Sequence, residues 1–126
     1  MNRPTVALIA HDGKKDALVE FVQANQPWFE KFDLIGTGTT GGRIASLGIQ
    51  IECLASGPLG GDAQIASRIT ENRVQAVIFF RDPMGKHPHE PDINMLLRQC
   101  DVHNVPLATN YATASLLIGR SALVSG

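Results

Sequence analysis

Val74-Gln-Ala-Val-Ile-Phe-Phe80 is the most apolar of the strand-like runs in the chain. A strand that is apolar on both faces belongs inside a parallel sheet covered on both sides, so this run is placed centrally. Outward from it, strand-like runs alternate with helix-period patterns in both directions. Toward the N-terminus lie a helix over Ala63 to Glu71, a strand from Ile49 to Leu54 and a short helix from Gly42 to Leu47. Before these come a strand over Phe32-Asp-Leu-Ile-Gly36 and a helix from Lys14 to Asn25, with Ala17, Leu18, Phe21 and Val22 on its apolar face. The first element is a buried strand, Thr5-Val-Ala-Leu-Ile-Ala10. Toward the C-terminus follow a helix from Ile93 to His103, a strand from Val105 to Thr109 and a helix from Tyr111 to Ile118; Ser121 to Ser125 could begin another strand. This order predicts an α/β fold: a single doubly wound domain over residues 1–126, with a mostly parallel five-stranded sheet in a three-layer sandwich.

Composition narrows the function classes. With 126 residues, 44% hydrophobic and 18% charged, the chain has the make-up of one globular domain. A formal net charge of −1 gives no electrostatic reason to expect nucleic acid or an anionic membrane as a partner, so any bound anion must be held locally. No apolar run approaches the roughly 20 residues of a membrane helix, and the N-terminus lacks a signal-peptide pattern. Cys53 and Cys100 show neither CxxC nor zinc-ligand spacing and read as buried free thiols, which suits a reducing cytoplasm.

Right-handed crossovers bring all strand C-termini to one edge, where ligands of such sheets bind. The residues leaving the strands are His11-Asp12, Thr37-Gly-Thr-Thr-Gly-Gly42, Ser56-Gly-Pro-Leu-Gly-Gly-Asp62, Asp82-Pro83 and Thr109-Asn110. A strand, then threonines and glycines, then a helix start presents free N–H groups and hydroxyls to a phosphate. The same residues also make an ordinary capped turn. The second loop, Ser56 to Gly61, has the same grammar, and two such loops on one edge favour an anion site. Lys15 lies in the first turn of a helix, where the dipole disfavours a cation; there it serves an anion or is simply an exposed charge. Asp62 directly precedes a helix and reads equally as an N-cap or as a general base held between glycines. His87-Pro-His89-Glu-Pro-Asp92 invites a zinc reading, but spacing fixes no third ligand. A neutral histidine of this pair donating to a carbonyl oxygen, with Asp92 orienting its other nitrogen, uses these residues better.

His11-Asp12 with Lys15, Thr37-Gly-Thr-Thr-Gly41, Ser56-Gly-Pro-Leu-Gly-Gly-Asp62, and Asp82-Pro83 leading to Pro88-His-Glu-Pro-Asp92 together resemble the methylglyoxal synthase family, from about Thr5 to Ser115. One glycine loop alone would be weak; the combination is specific. The resemblance implies a methylglyoxal-synthase-like, Rossmann/flavodoxin-like subunit assembled as a homohexamer. It also implies conversion of dihydroxyacetone phosphate to methylglyoxal and inorganic phosphate, chemistry that requires no cofactor or metal. Inorganic phosphate is expected to compete with substrate because the two glycine loops would grip the phosphoryl group. By matching positions, Asp62 is the catalytic base and His89 the group at the carbonyl. His11, Lys15, Thr37, Gly38, Thr39, Thr40, Ser56 and Gly57 contact the substrate and its phosphate, and Asp12, Asp82 and Asp92 match further acidic positions. Family members usually continue with another strand and helix beyond the position of Gly126. Two other readings compete: a regulatory phosphate-binding domain like that of carbamoyl-phosphate synthetase, and a metal-dependent phosphohydrolase. The first does not call for Asp62 and His89 together, and the second predicts loss of activity with chelators and release of phosphate without methylglyoxal.

Overall fold

A computed structural model describes residues 3–56, 59–85 and 93–119. Gly57, His87, His89, Asp92 and the expected strand at residues 121–125 lie outside the described residues. The elements in chain order are β1 (Thr5–Ala10), a 3₁₀ turn (Asp12–Lys14), α1 (Lys15–Ala24), α2 (Gln26–Phe29), β2 (Asp33–Thr37), α3 (Gly38–Ala45) and β3 (Glu52–Leu54). They continue with α4 (Gly61–Thr70), β4 (Ala76–Phe80), α5 (Ile93–Val102), β5 (Leu107–Ala108) and α6 (Tyr111–Gly119).

The strands form one sheet in the order β3-β2-β1-β4-β5, and every pairing is parallel, where the sequence suggests a mostly parallel sheet. The centre is β1, not β4. The apolarity of Val74 to Phe80 reports burial on both faces, and any interior strand shares that property. The register is fixed by pairs such as Leu8↔Gly36 on one side of β1 and Leu8↔Ile78 on the other.

Alternation along β1 divides the core. Val6, Leu8 and Ala10 pack with Leu18 and Val22 of α1, Phe29 of α2, Ile44 of α3 and Ala114 of α6. Ala7 and Ile9 face the other layer, with Ile65 and Ile69 of α4 and Leu96 and Cys100 of α5. Two helical layers on a parallel sheet follow from this alternation, because each strand face needs its own cover.

The boundaries differ from the sequence expectation for physical reasons. The helix expected from Gly42 begins at Gly38, because tertiary packing overrides the poor helix propensity of Gly-Thr-Thr-Gly-Gly. Thr40 and Gly41 are buried there, and a Cβ on Gly41 would come 3.1 Å from both the Gly36 carbonyl oxygen and Cys53 Sγ. The strand expected over Ile49 to Leu54 pairs only over Glu52–Leu54; Ile49 joins the core from outside the ladder. Helix α2 was not expected. Pro27 sits at its start, and Trp28 and Phe29 are both buried with their rings 4.9 Å apart edge to face.

The edge position of β3 exposes Cys53, correcting its assignment as a buried thiol; Cys100 is buried as expected. Burial pushes the Cys100 thiol up to about 11, with a smaller contribution from Asp101.

Candidate active site

The strand order reverses direction between β1 and β4, which makes their C-terminal ends the switch point where ligands of such sheets bind. His11 leaves β1 there. Its backbone N–H donates to the Phe80 carbonyl (3.1 Å), and its Nδ1 accepts from the Asp82 backbone N–H (2.9 Å). The ring lies edge-on to Phe79 at 5.1 Å, and the residue is 5% exposed. A backbone N–H can only donate, so Nδ1 is an acceptor and a neutral imidazole carries its proton on Nε2.

Asp82 is held in turn by its own loop, Oδ1 accepting from the Met84 N–H at 3.1 Å. A Cβ on Gly13 would meet Asp82 Oδ2 at 2.6 Å, so the loop after β4 closes directly over the turn after β1. Lys15 opens α1 and pairs with Asp12 at 2.7 Å, its side chain 21% exposed. It is therefore neither an unpaired cation nor a fully solvated one.

The other half of the edge is built by close backbone approach. Thr37 caps α3 in an extended conformation without a side-chain cap hydrogen bond, and Gly38 follows at φ +30°. A Cβ on Gly38 would come 2.8 Å from Ser56 Cβ and 2.9 Å from Ser56 Cα, so the threonine loop and the Ser56 loop touch. A Cβ on Gly61 would collide with the Ala55 carbonyl oxygen and lie 3.0 Å from the Thr37 methyl. The Ser56 carbonyl accepts from the Leu59 and Gly61 N–H groups at 3.0 and 2.9 Å, folding its loop back onto α4.

Thr37 is 6% exposed and Thr39 exposed, while Thr40 is fully buried. The Thr40 Oγ1 has no hydrogen-bond partner among the described residues. A buried hydroxyl left without a partner costs about 1–3 kcal/mol.

Asp62 is inside α4, not before it; Gly60, at φ +96°, occupies the cap position. The N-cap reading of Asp62 is thereby removed, since a left-handed glycine supplies the turn. Asp62 is half-buried in the first turn, and its Oδ1 accepts from the Ala63 N–H at 2.9 Å. Asn110, two residues after β5, does cap its helix: Oδ1 accepts from the Thr113 N–H at 2.9 Å. The structure thus brings Thr37, Gly38 and Ser56 to the first turn of α4, which carries Asp62, and places His11 with Asp82 at the adjacent switch point. Gln64, absent from the sequence reading, also reaches this region by accepting from the Ala55 N–H. Its one sequence signal is its position one turn into the helix that carries Asp62.

A separate concavity of about 510 Å³ lies toward the opposite ends of the strands, lined by residues including Arg3, Asp33, Glu52 and Arg68. Its arginines are engaged, Arg3 with Asp33, Arg68 with Glu52 and Arg73 with Glu71, and it holds none of the loop residues above. Among the described residues no group of histidines, cysteines and carboxylates is placed to hold a metal ion. No described helix is long and apolar enough to cross a membrane.

Residues 17–109 match the family model described as an MGS-like domain, so fold and loops place the chain in that class. It is 55% identical to a methylglyoxal synthase of Cupriavidus pinatubonensis over 121 residues, covering 95% of this chain and 93% of that protein. It is also 55% identical to one of Borrelia garinii subsp. bavariensis over 114 residues, covering 90% of each. The crystal structure of methylglyoxal synthase from Elizabethkingia anophelis NUHP1 matches with a TM-score of 0.92 and 44% identity, covering 96% of this chain and 80% of that one. The chain belongs to the methylglyoxal synthase family.

The His11 geometry carries a spectroscopic prediction. Nitrogen NMR of the neutral ring will show the proton on Nε2 and a bare Nδ1; a protonated Nδ1 in the neutral form would contradict the bond from the Asp82 amide.

Proposed function

We infer that the chain is an enzyme of the kind its family name describes, a methylglyoxal synthase. It is a carbon–oxygen lyase that converts dihydroxyacetone phosphate to methylglyoxal and inorganic phosphate. The observation that carries this reading is 55% identity to a methylglyoxal synthase across 95% of the chain, an extent that takes in the loops at the strand ends.

The site residues divide the work as follows. Asp62 takes a proton from the hydroxymethyl carbon beside the ketone, giving an ene-diolate. His89 donates to the former carbonyl oxygen, and His11, with its Nε2–H, is a second neutral donor at the switch point. The ene-diolate collapses, the C–O bond to the phosphoryl group breaks, and phosphate leaves with the electron pair. The hydroxyl on the deprotonated carbon loses its proton as the aldehyde forms, and the enol so released tautomerises to methylglyoxal. Atoms balance without water, oxidant or cofactor.

Thr37, Gly38, Thr39 and Thr40 at the start of α3, with Ser56, Gly57 and Lys15, grip the phosphoryl group. The buried Thr40 hydroxyl supports this role, because a phosphoryl oxygen at the helix start would supply its missing partner. Inorganic phosphate then competes for the same donors. We place the enzyme in the cytoplasm, which two free cysteines suit, and as a homohexamer; fractionation and sedimentation are the respective checks.

Asp62→Asn keeps the side-chain shape and an oxygen for the Ala63 N–H. It is expected to lower kcat by roughly 10²–10⁴-fold while phosphate binding persists. A kcat near that of the parent would remove Asp62 from the chemistry.

Thr40→Val exchanges a partnerless hydroxyl for a methyl group, so the melting temperature should not fall. KM and the phosphate inhibition constant should nevertheless rise together by about 3- to 10-fold, the worth of one hydrogen bond. If both constants stay unchanged, Thr40 does not hold the phosphoryl group.

A further inference from the structure

Helix α4 is tied to strand β3 and to the residue that follows it, at two points one helical turn apart. At the far end, the Arg68 guanidinium forks onto Glu52, with Nη1–Oε1 at 2.8 Å and Nη2–Oε2 at 2.6 Å. At the end near the site, Gln64 Oε1 accepts from the Ala55 backbone N–H at 2.8 Å. The spacing of four residues puts both side chains on one face of α4.

The two ties hold different things. Arg68 and Glu52 join two elements that are already regular, and that fork holds the Glu52 carboxyl below the ordinary carboxylate range. Gln64 instead holds backbone just past the point where the ladder stops. The pairing of β2 with β3 ends at Thr37↔Leu54, so the Ala55 N–H needs an acceptor from elsewhere, and Gln64 provides it. Ala55 immediately precedes Ser56, whose Cα and Cβ rest against Gly38, and its carbonyl rests against Gly61.

We propose that Gln64 is a positioning residue for the anion-binding loop: it sets the backbone at Ala55 so that Ser56 and the start of α3 meet the phosphoryl group together. This rests on the function proposed above. Gln64 acts through the loop and not on the reacting carbons, so its removal loosens phosphoryl binding while the base on α4 stays in place.

The test uses the full chain. Gln64→Met keeps length and removes the acceptor. It should raise KM for dihydroxyacetone phosphate and the calorimetric dissociation constant for inorganic phosphate together, by roughly 3- to 10-fold. The kcat should stay within about twofold. Hydrogen exchange should quicken at the Ala55 amide while the Ile65 and Ile69 amides of α4 stay protected. Gln64→Glu retains the acceptor and should keep the Ala55 amide protected. Arg68→Met, which cuts the other tie, should lower the melting temperature and leave KM unchanged. Should Met disturb the helix, Gln64→Ala places the best helix former at this exposed position and gives the same readouts.

Unchanged KM and phosphate affinity in Gln64→Met would overturn the proposal, as would a loss confined to kcat. So would Arg68→Met raising KM as much as Gln64→Met. A parent protein that forms no methylglyoxal would instead defeat the proposed function, and the phosphate affinities would still decide the role of Gln64.

Discussion

The approach of Gly61 to the Ala55 carbonyl is the contact on which the loop arrangement depends. With no Cβ at residue 61, the first turn of α4 lies against backbone, closer than any side chain would allow. The same device recurs where Gly38 meets Ser56 and where Gly41 meets the Gly36 carbonyl. These contacts draw α3, the end of β3 and the start of α4 into one wall. Glycine costs conformational entropy at each place, and that cost is offset by bringing two helix starts to the same point.

The second wall comes from topology. Because β1 is central and β4 pairs with it directly, the residues after both strands meet where the strand order reverses. His11 is held there by two main-chain groups, donating its N–H to Phe80 and accepting the Asp82 N–H. With Nδ1 taken up by the Asp82 N–H, the neutral ring presents Nε2–H as a donor. That is the form needed to polarise a carbonyl without a full charge.

Much of this was legible in the sequence because its signals are local. Thr5–Ala10 reads as β1 from its apolar run, and the Thr37 and Ser56 loops stand out by composition. What could not be read was set by three-dimensional contacts that composition and periodicity do not report. The start of α3 depends on Gly41 fitting against Gly36, and propensity argues against a helix there. The pairing of Lys15 with Asp12 and the capping of α4 by Gly60 depend on backbone geometry that spacing does not reveal. Gln64 carried no signal because a lone glutamine on a helix is ordinary; only the end of the β2–β3 ladder at Leu54 gives it something to do.

In the function proposed here the anion is gripped mainly by neutral donors. The chain has a formal charge of −1, and Lys15 is already engaged by Asp12. In the proposed reaction the group that is gripped is also the group that leaves as product. Binding that is equally strong before and after the chemistry adds nothing to kcat and slows release. Hydroxyls and amides at a helix start hold a phosphoryl group through geometry, and geometry can favour the ester, tethered to the rest of the substrate, over free phosphate. A strong unpaired cation would favour both alike. The compensated lysine and the loop pinned by Gln64 are thus two parts of one solution: positional precision takes the place of charge.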